Sequence, residues 1–196
     1  MANILRHLAL LNAGVWLGAA GFMFIVAYTI FTTPEMDASM QSRPEKGLAG
    51  NIFFYRFYLM QYACAGVASL LLFLEWKIGK FDFPKWRFGL LILIAGLVLA
   101  GGLWINPKLE ILFKKKYPEH FFAEAMKDRN EAGRLKDEAE HAKAEHDKWH
   151  RISEGGYGGV MLLLLFFFAA NCRQPPKGRG TRKPRQKVEF RLLPFR

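Results

Sequence analysis

The sequence predicts an all-α, polytopic integral membrane protein with four transmembrane helices and a long charged helical segment before the last of them. Two observations predict this. The apolar residues are gathered into four blocks, with the charges lying between them. At 1.5 Å rise per residue, most of these blocks are long enough to cross a hydrocarbon core of roughly 30 Å. The mean hydropathy of +0.04 resembles that of a soluble protein only because it averages two unlike populations. A hydrophobic content of 52% with two cysteines excludes disordered, collagenous and disulfide-scaffold classes. Cys64 and Cys172 lie within or at the edge of apolar blocks, so neither a disulfide framework nor a thiolate zinc site is expected.

The first span, about 8–33, has no charged side chain and ends Ile30-Phe31-Thr32-Thr33-Pro34. It is too long for a secretory signal and lacks a small-residue cleavage site, so it is read as retained. Gly14, Gly18 and Gly21 share a face of this helix, a small-residue pattern expected to pack within the bundle, with homodimerisation as the alternative. Asn12, near the entry, is expected to hydrogen-bond to a neighbour. The second span, about 52–74, carries Arg56 near its start and stops at Glu75-Trp76-Lys77. The third, about 88–105, follows Lys85-Trp86-Arg87 and is expected to end at Asn106-Pro107, because the residue before a proline disfavours helix. The fourth, about 155–171, opens with four glycines in five residues, as a kink or a close-packing surface. It is marginally short, so its helix is expected to begin upstream.

Basic residues set the expected orientation. Arg6, the loop 75–87 at net +2 and the segment 172–196 at net +8 fall on one face, whereas the loop 34–51 is at −1 and the segment 106–154 has 11 basic and 11 acidic residues. The expectation is an inner or plasma membrane protein with both termini cytoplasmic. The basic segment 172–196 reads as a flexible tail. Its Arg173, Lys177, Arg179, Arg182, Lys183, Arg185 and Lys187 are expected to contact anionic lipid headgroups, and no accompanying fold suggests nucleic acid.

The extramembrane segment 108–154 is rich in Ala, Glu, Lys and Arg, which predicts a long amphipathic helix or a helical hairpin with Gly133 as the natural break. Its narrow seam, Ala132, Leu135, Ala139, Ala142, His146 and Trp149, fits a helix leaning on its own membrane domain, with an oligomeric coiled coil as the alternative. Acid-first pairs Glu124/Lys127, Glu131/Arg134, Glu140/Lys143 and Asp147/Arg151 have helical spacing. His146 and His150 are weak metal candidates at i and i+4, without the companion residues of a metalloprotease motif. No metal and no cofactor is expected; a structural role is the first reading and a pH response the second.

Asn51, Arg56, Asn106, Trp149, His150 and Ser153, with Trp104, fall near the expected outer membrane surface. They form a candidate polar cleft, either helix capping or a site for a small ligand or lipid headgroup. Arg56 would snorkel to headgroups, pair with Asp37, Glu45 or Glu110, or bind an anionic lipid. Polar lining is expected only in this outer half.

Several residues together resemble the transmembrane protein 205-like family of small four-span membrane proteins. They are Gly14-Val15-Trp16-Leu17-Gly18 with Phe22, Pro34 at the first exit, the aromatic start Phe53 to Tyr58, Pro107, and His150-Arg151-Ile152-Ser153. Tyr157 stands where the family often has asparagine. The resemblance implies a four-helix integral membrane protein and no established reaction. The sequence has no nucleophile and base pair, phosphate loop or paired carboxylates within its spans. The expected function is therefore that of a membrane protein without catalytic activity, an accessory, assembly or lipid-interacting subunit. The alternative is an oligomeric transporter or channel for a cation or small solute. Expected partners are membrane lipids and a homo-oligomer or larger complex.

Overall fold

The computed structural model describes residues 2–40, 42–79 and 85–172. Nearly all of those residues are helical, with no strand among them. In chain order the helices are α1 (Ala2–Thr32), α2 (Pro34–Ser39), α3 (Arg43–Gly79), α4 (Lys85–Ala100), α5 (Asn106–Lys116), α6 (Pro118–Phe121) and α7 (Arg129–Cys172). Four helices are long and apolar enough to cross a membrane: α1, α3, the rod running from α4 through α5, and α7. They run up, down, up, down, as the pairings of Asn12 with Cys64, Tyr58 with Gly101 and Arg87 with Asn171 require. One end of the bundle therefore holds the start of α1 and the end of α7; the other holds α2, α5, α6 and the first half of α7. These are called the terminal end and the head.

The core follows from α1. Ala9, Ala13, Trp16, Ala20 and Met23 recur at three- and four-residue spacing and are all buried. The alanines bring α3 and α7 close, and Trp16, fully buried, fills the centre edge-on to Phe167. Leu72, Leu91, Ile94, Val98 and Leu164 complete the cluster. Phe22, Ile92, Leu162 and Phe166 instead face outward, each about three-fifths exposed or more. An apolar surface on every side is a liability in water and the normal state in lipid.

The small-residue face of α1 differs from the sequence expectation. Gly14 does face α7, where a Cβ would meet Phe168 at 3.4 Å, but Gly18 and Gly21 have nothing within 4 Å. The contact face is the alanine and tryptophan stripe, rotated away from those two glycines.

The third span also departs from expectation, for it does not end at Asn106-Pro107. Between α4 and α5, Gly101–Ile105 forms a π-helical turn in which the Asn106 N–H bonds to the Gly101 carbonyl. Proline lacks an N–H and its ring collides with the carbonyl four residues back. The wider turn absorbs the collision, so the rod continues through Pro107 to Lys116. Glycine is needed in this turn. A Cβ on Gly101 would lie 2.7 Å from the Tyr58 hydroxyl, and one on Gly102 would overlap Tyr62.

In the segment 108–154 the break falls at 117–128, not at Gly133. Pro118 ends α5, and Asp128 starts α7 as its N-cap, its Oδ1 accepting from the N–H groups of Asn130 at 2.8 Å and Glu131 at 3.4 Å. From there α7 runs 44 residues without interruption through Gly133 and the glycines at 155–159. Isolated glycines cost a helix about 1 kcal/mol each, which tertiary contacts absorb. The helix is about 66 Å long, so about 35 Å of it stands beyond a hydrocarbon core of roughly 30 Å. At the start of α3, Ser42 and Glu45 form a reciprocal capping box.

Candidate functional site

The head is a clasp between α5 and α7, with two ion pairs across it. Lys115 pairs with Glu138 at 3.6 Å and Lys116 bonds Asp147 at 2.9 Å, while Lys114 bonds Glu110 within α5 at 2.7 Å. The predicted seam faces inward: Ala142 is buried, and Ala132, Leu135, Ala139, His146 and Trp149 are half-buried. Of the intrahelical pairs read from spacing, Glu124/Lys127 and Glu131/Arg134 form, both at 2.7 Å. Asp147 instead crosses to Lys116, because α5 brings a cation closer than Arg151.

Aromatic side chains fill the clasp. Phe113 lies among Tyr117, Phe121 and His146, and covers Gly47 so closely that a Cβ there would overlap its ring. The rings of His146 and His150 stack at 5.8 Å, 15° from parallel. His146 also contacts Asp147 at 3.3 Å, and His150 pairs with Glu154 at 3.2 Å. Burial, with Lys116 and His150 nearby, holds the His146 imidazole below its ordinary 6.5, outweighing the opposite pull of Asp147. The bond from Lys116 is the main cause that lowers Asp147. Among the described residues no group of three metal-ligating side chains exists.

Closer to the membrane boundary, Trp104 and Trp149 meet edge to face at 5.6 Å, and the Lys108 ammonium lies 4.1 Å above the Trp149 ring. These three form one contact between the α4–α5 rod and α7, and Ser153 lies one turn along α7 from Trp149. The other members of the sequence-predicted cleft do not join it through any hydrogen bond or ion pair. Arg56 is exposed on α3 and has no ion-pair partner among the described residues. Its expected acids are engaged elsewhere: Asp37 with Lys46, Glu45 with Ser42, Glu110 with Lys114. Asn51 and Asn106 are half-buried and make no side-chain hydrogen bond among the described residues. An open groove of about 720 Å³ lies further out, lined by Pro44, Lys116, Tyr117, His120, Lys136 and Glu140. The anionic-lipid residues from Arg173 to Lys187 lie outside the described residues.

Polar lining is not confined to the head half. Asn12 donates to the Cys64 carbonyl at 3.0 Å, Trp16 Nε1 to Gln61 Oε1 at 3.4 Å, and the Tyr157 hydroxyl to the Ala20 carbonyl. At the terminal end Arg87 bonds Glu75 through Nη1 at 3.2 Å and Asn171 through Nη2 at 2.5 Å. Asn171 in turn donates to the Phe167 carbonyl at 2.7 Å. This cluster ties the ends of α3, α4 and α7. Sequence reasoning misses it by treating Glu75 and Arg87 as loop charges; their opposite signs at the two ends of one short hairpin are the available signal. Cys64 is buried, Cys172 exposed, and both are free.

The model of a domain of unknown function, DUF4149, matches residues 11–118, just over half of the chain. The chain belongs to the DUF4149 family. The DUF4149 match takes in most of the first span, the second and third spans and α5 and ends at Pro118, so α7, which completes the core and closes the clasp, lies beyond it. No curated protein and no solved structure matches the chain.

Proposed function

We propose that this DUF4149 protein is a non-catalytic accessory or assembly subunit of a membrane complex, with its helical head as the docking surface. The observation that carries this reading is α7. One uninterrupted helix of 44 residues joins the bundle core to a head about 35 Å tall, so the head is held rigidly in relation to the membrane. Its outer face presents Lys136, Asp137, Glu140, Lys143 and Lys148, all exposed and of both signs, while its inner face is occupied by α5. Trp16, Ile94, Leu164 and Phe167 fill the middle of the bundle, which supports a structural role for the single chain over conduction through it.

The distribution of basic residues supports an inner or plasma membrane location with both termini cytoplasmic and the head outside. The finer kinship to the transmembrane protein 205-like family is part of the same proposal. It is supported by Trp16 within Gly14–Gly18 and by His150 and Ser153 before the last span.

Native mass spectrometry of the chain extracted from its own membrane in mild detergent tests the docking reading. A stable protein partner is expected, released by Lys136→Glu with Lys143→Glu while the helical content is unchanged. Recovery of a folded monomer alone would overturn the reading, and a symmetric homo-oligomer that conducts ions would favour the transporter alternative.

A further inference from the structure

We infer that Lys108, held against the Trp104–Trp149 pair at the base of the head, binds the phosphate of an anionic phospholipid. The inference deepens the lipid-headgroup reading of the predicted cleft. It needs only that the four helices cross a bilayer, and it is independent of partner docking.

Charge pairing singles out the residue. Along α5, Lys114, Lys115 and Lys116 each have a carboxylate within 3.6 Å. Lys108, the lysine of α5 nearest the apolar span, has none among the described residues. Its ammonium instead rests 4.1 Å from the Trp149 ring centre. A cation over an aromatic face keeps its remaining N–H donors directed outward. Of the acids on α5 and the facing part of α7, Glu110 pairs with Lys114, Asp147 with Lys116 and Glu154 with His150, and Glu145, one turn from Trp149, makes no ion pair with Lys108 among the described residues. The open side of the ammonium is left for water or a lipid anion.

Depth favours the lipid. Lys108 lies one turn beyond Trp104, which is 63% exposed and follows Leu103, 67% exposed, at the end of the most apolar rod in the bundle. Tryptophans at this level sit among headgroups, with the ring body toward the acyl chains and the N–H toward water. Trp104 and Lys108 share one face of the rod at i and i+4, and Trp149 and Ser153 share one face of α7 at the same spacing. This contact thus offers a cation and two aromatic rings at headgroup height. Position along the sequence favours Arg56 for this role, but Arg56 stands on α3 without an aromatic ring stacked against its guanidinium among the described residues.

The test uses the full chain in nanodiscs of phosphatidylcholine with about one-third phosphatidylglycerol, counting retained lipids by native mass spectrometry. Lys108→Gln is expected to reduce retained phosphatidylglycerol affinity about fivefold, the factor for one cation at a membrane surface, and to leave phosphatidylcholine unchanged. Lys108→Arg should restore it, and Arg56→Gln should have no effect. Because every variant keeps segment 172–196, its contribution cancels. Trp104→Leu, which retains an apolar side chain at the same depth, should weaken retention without changing the circular dichroism spectrum. Equal retention by wild type and Lys108→Gln would overturn the site, as would displacement of the lipid by millimolar inorganic phosphate, or loss in Arg56→Gln equal to that in Lys108→Gln.

Discussion

Replacing Arg87 with methionine is expected to cost more stability than replacing Arg87 and Glu75 together. Arg87 is the hub of three helix ends, with its side chain 13% exposed and that of Glu75 14%. Its loss would leave two groups stranded. The Asn171 Oδ1, in a residue only 2% exposed, loses its 2.5 Å donor, an unpaired acceptor costing about 1–3 kcal/mol. The Glu75 carboxylate loses the guanidinium 3.0 Å away. Breaking a fully buried pair from one side costs about 3–5 kcal/mol, a figure reduced here because water reaches the edge of this one and a proton can neutralise it. About 3 kcal/mol is expected for Arg87→Met and about 2 kcal/mol for Glu75→Met, which leaves the arginine its bond to Asn171. The double variant removes both charges and leaves the amide alone at fault, at about 1–2 kcal/mol. The assay is equilibrium unfolding in mixed micelles by titration with a denaturing detergent, followed by far-ultraviolet circular dichroism. A double variant whose cost equals the sum of the two singles would refute the reasoning, because independent sites add and a shared buried pair does not. Arg87 Nε and Glu75 Oε2 are buried and make no hydrogen bond, so the pair is not ideal and its hydrophobic replacement is well tolerated.

Two further outcomes are expected. Gly102→Ala should destabilise the bundle by about 1–3 kcal/mol through overpacking, since its Cβ meets Tyr62 and Tyr58; Tyr62→Phe in the same chain should recover part of the loss in the same titration, and a silent Gly102→Ala would argue against the close approach at the π-turn. The clasp should loosen in acid: folding holds His146 below its ordinary 6.5, so the folded state binds fewer protons than the unfolded one, and stability is lost as pH falls below about 6.5. Hydrogen-exchange protection factors of α5 and the first half of α7, corrected for the intrinsic pH dependence of amide exchange, should fall between about pH 7 and pH 5 in the wild type and change less in His146→Phe; identical profiles would rule His146 out as the sensor.

The spans are legible in the sequence because hydropathy is a local, additive property: a run such as 88–105 announces itself whatever it packs against. The helix starts at Ser42 and Asp128 are decided by the structure: their side chains accept from backbone N–H groups two and three residues on, and in the sequence Gly133 is the more conspicuous break. Proline misleads at Pro107, because the rule that it ends helices assumes an α-helical register, and a π-turn two residues earlier lifts the clash. Only part of the candidate site is readable. Trp149 and Ser153 are found from their level in the membrane, whereas Lys108 looks like one more loop charge until α7 is laid beside it.

What the sequence alone determined is the number of spans, their alternation with charged segments, and the inward seam of α7, all set by composition and period along one helix at a time. What only the tertiary structure decided is which groups meet across helices: Arg87 with Glu75 and Asn171, Tyr157 with Ala20, Lys108 with Trp149. Such meetings depend on how each helix is rotated about its axis. In spans apolar on nearly every face, no polar stripe marks which side turns inward, and the rotation is fixed by the close fit of alanine against tryptophan at the core.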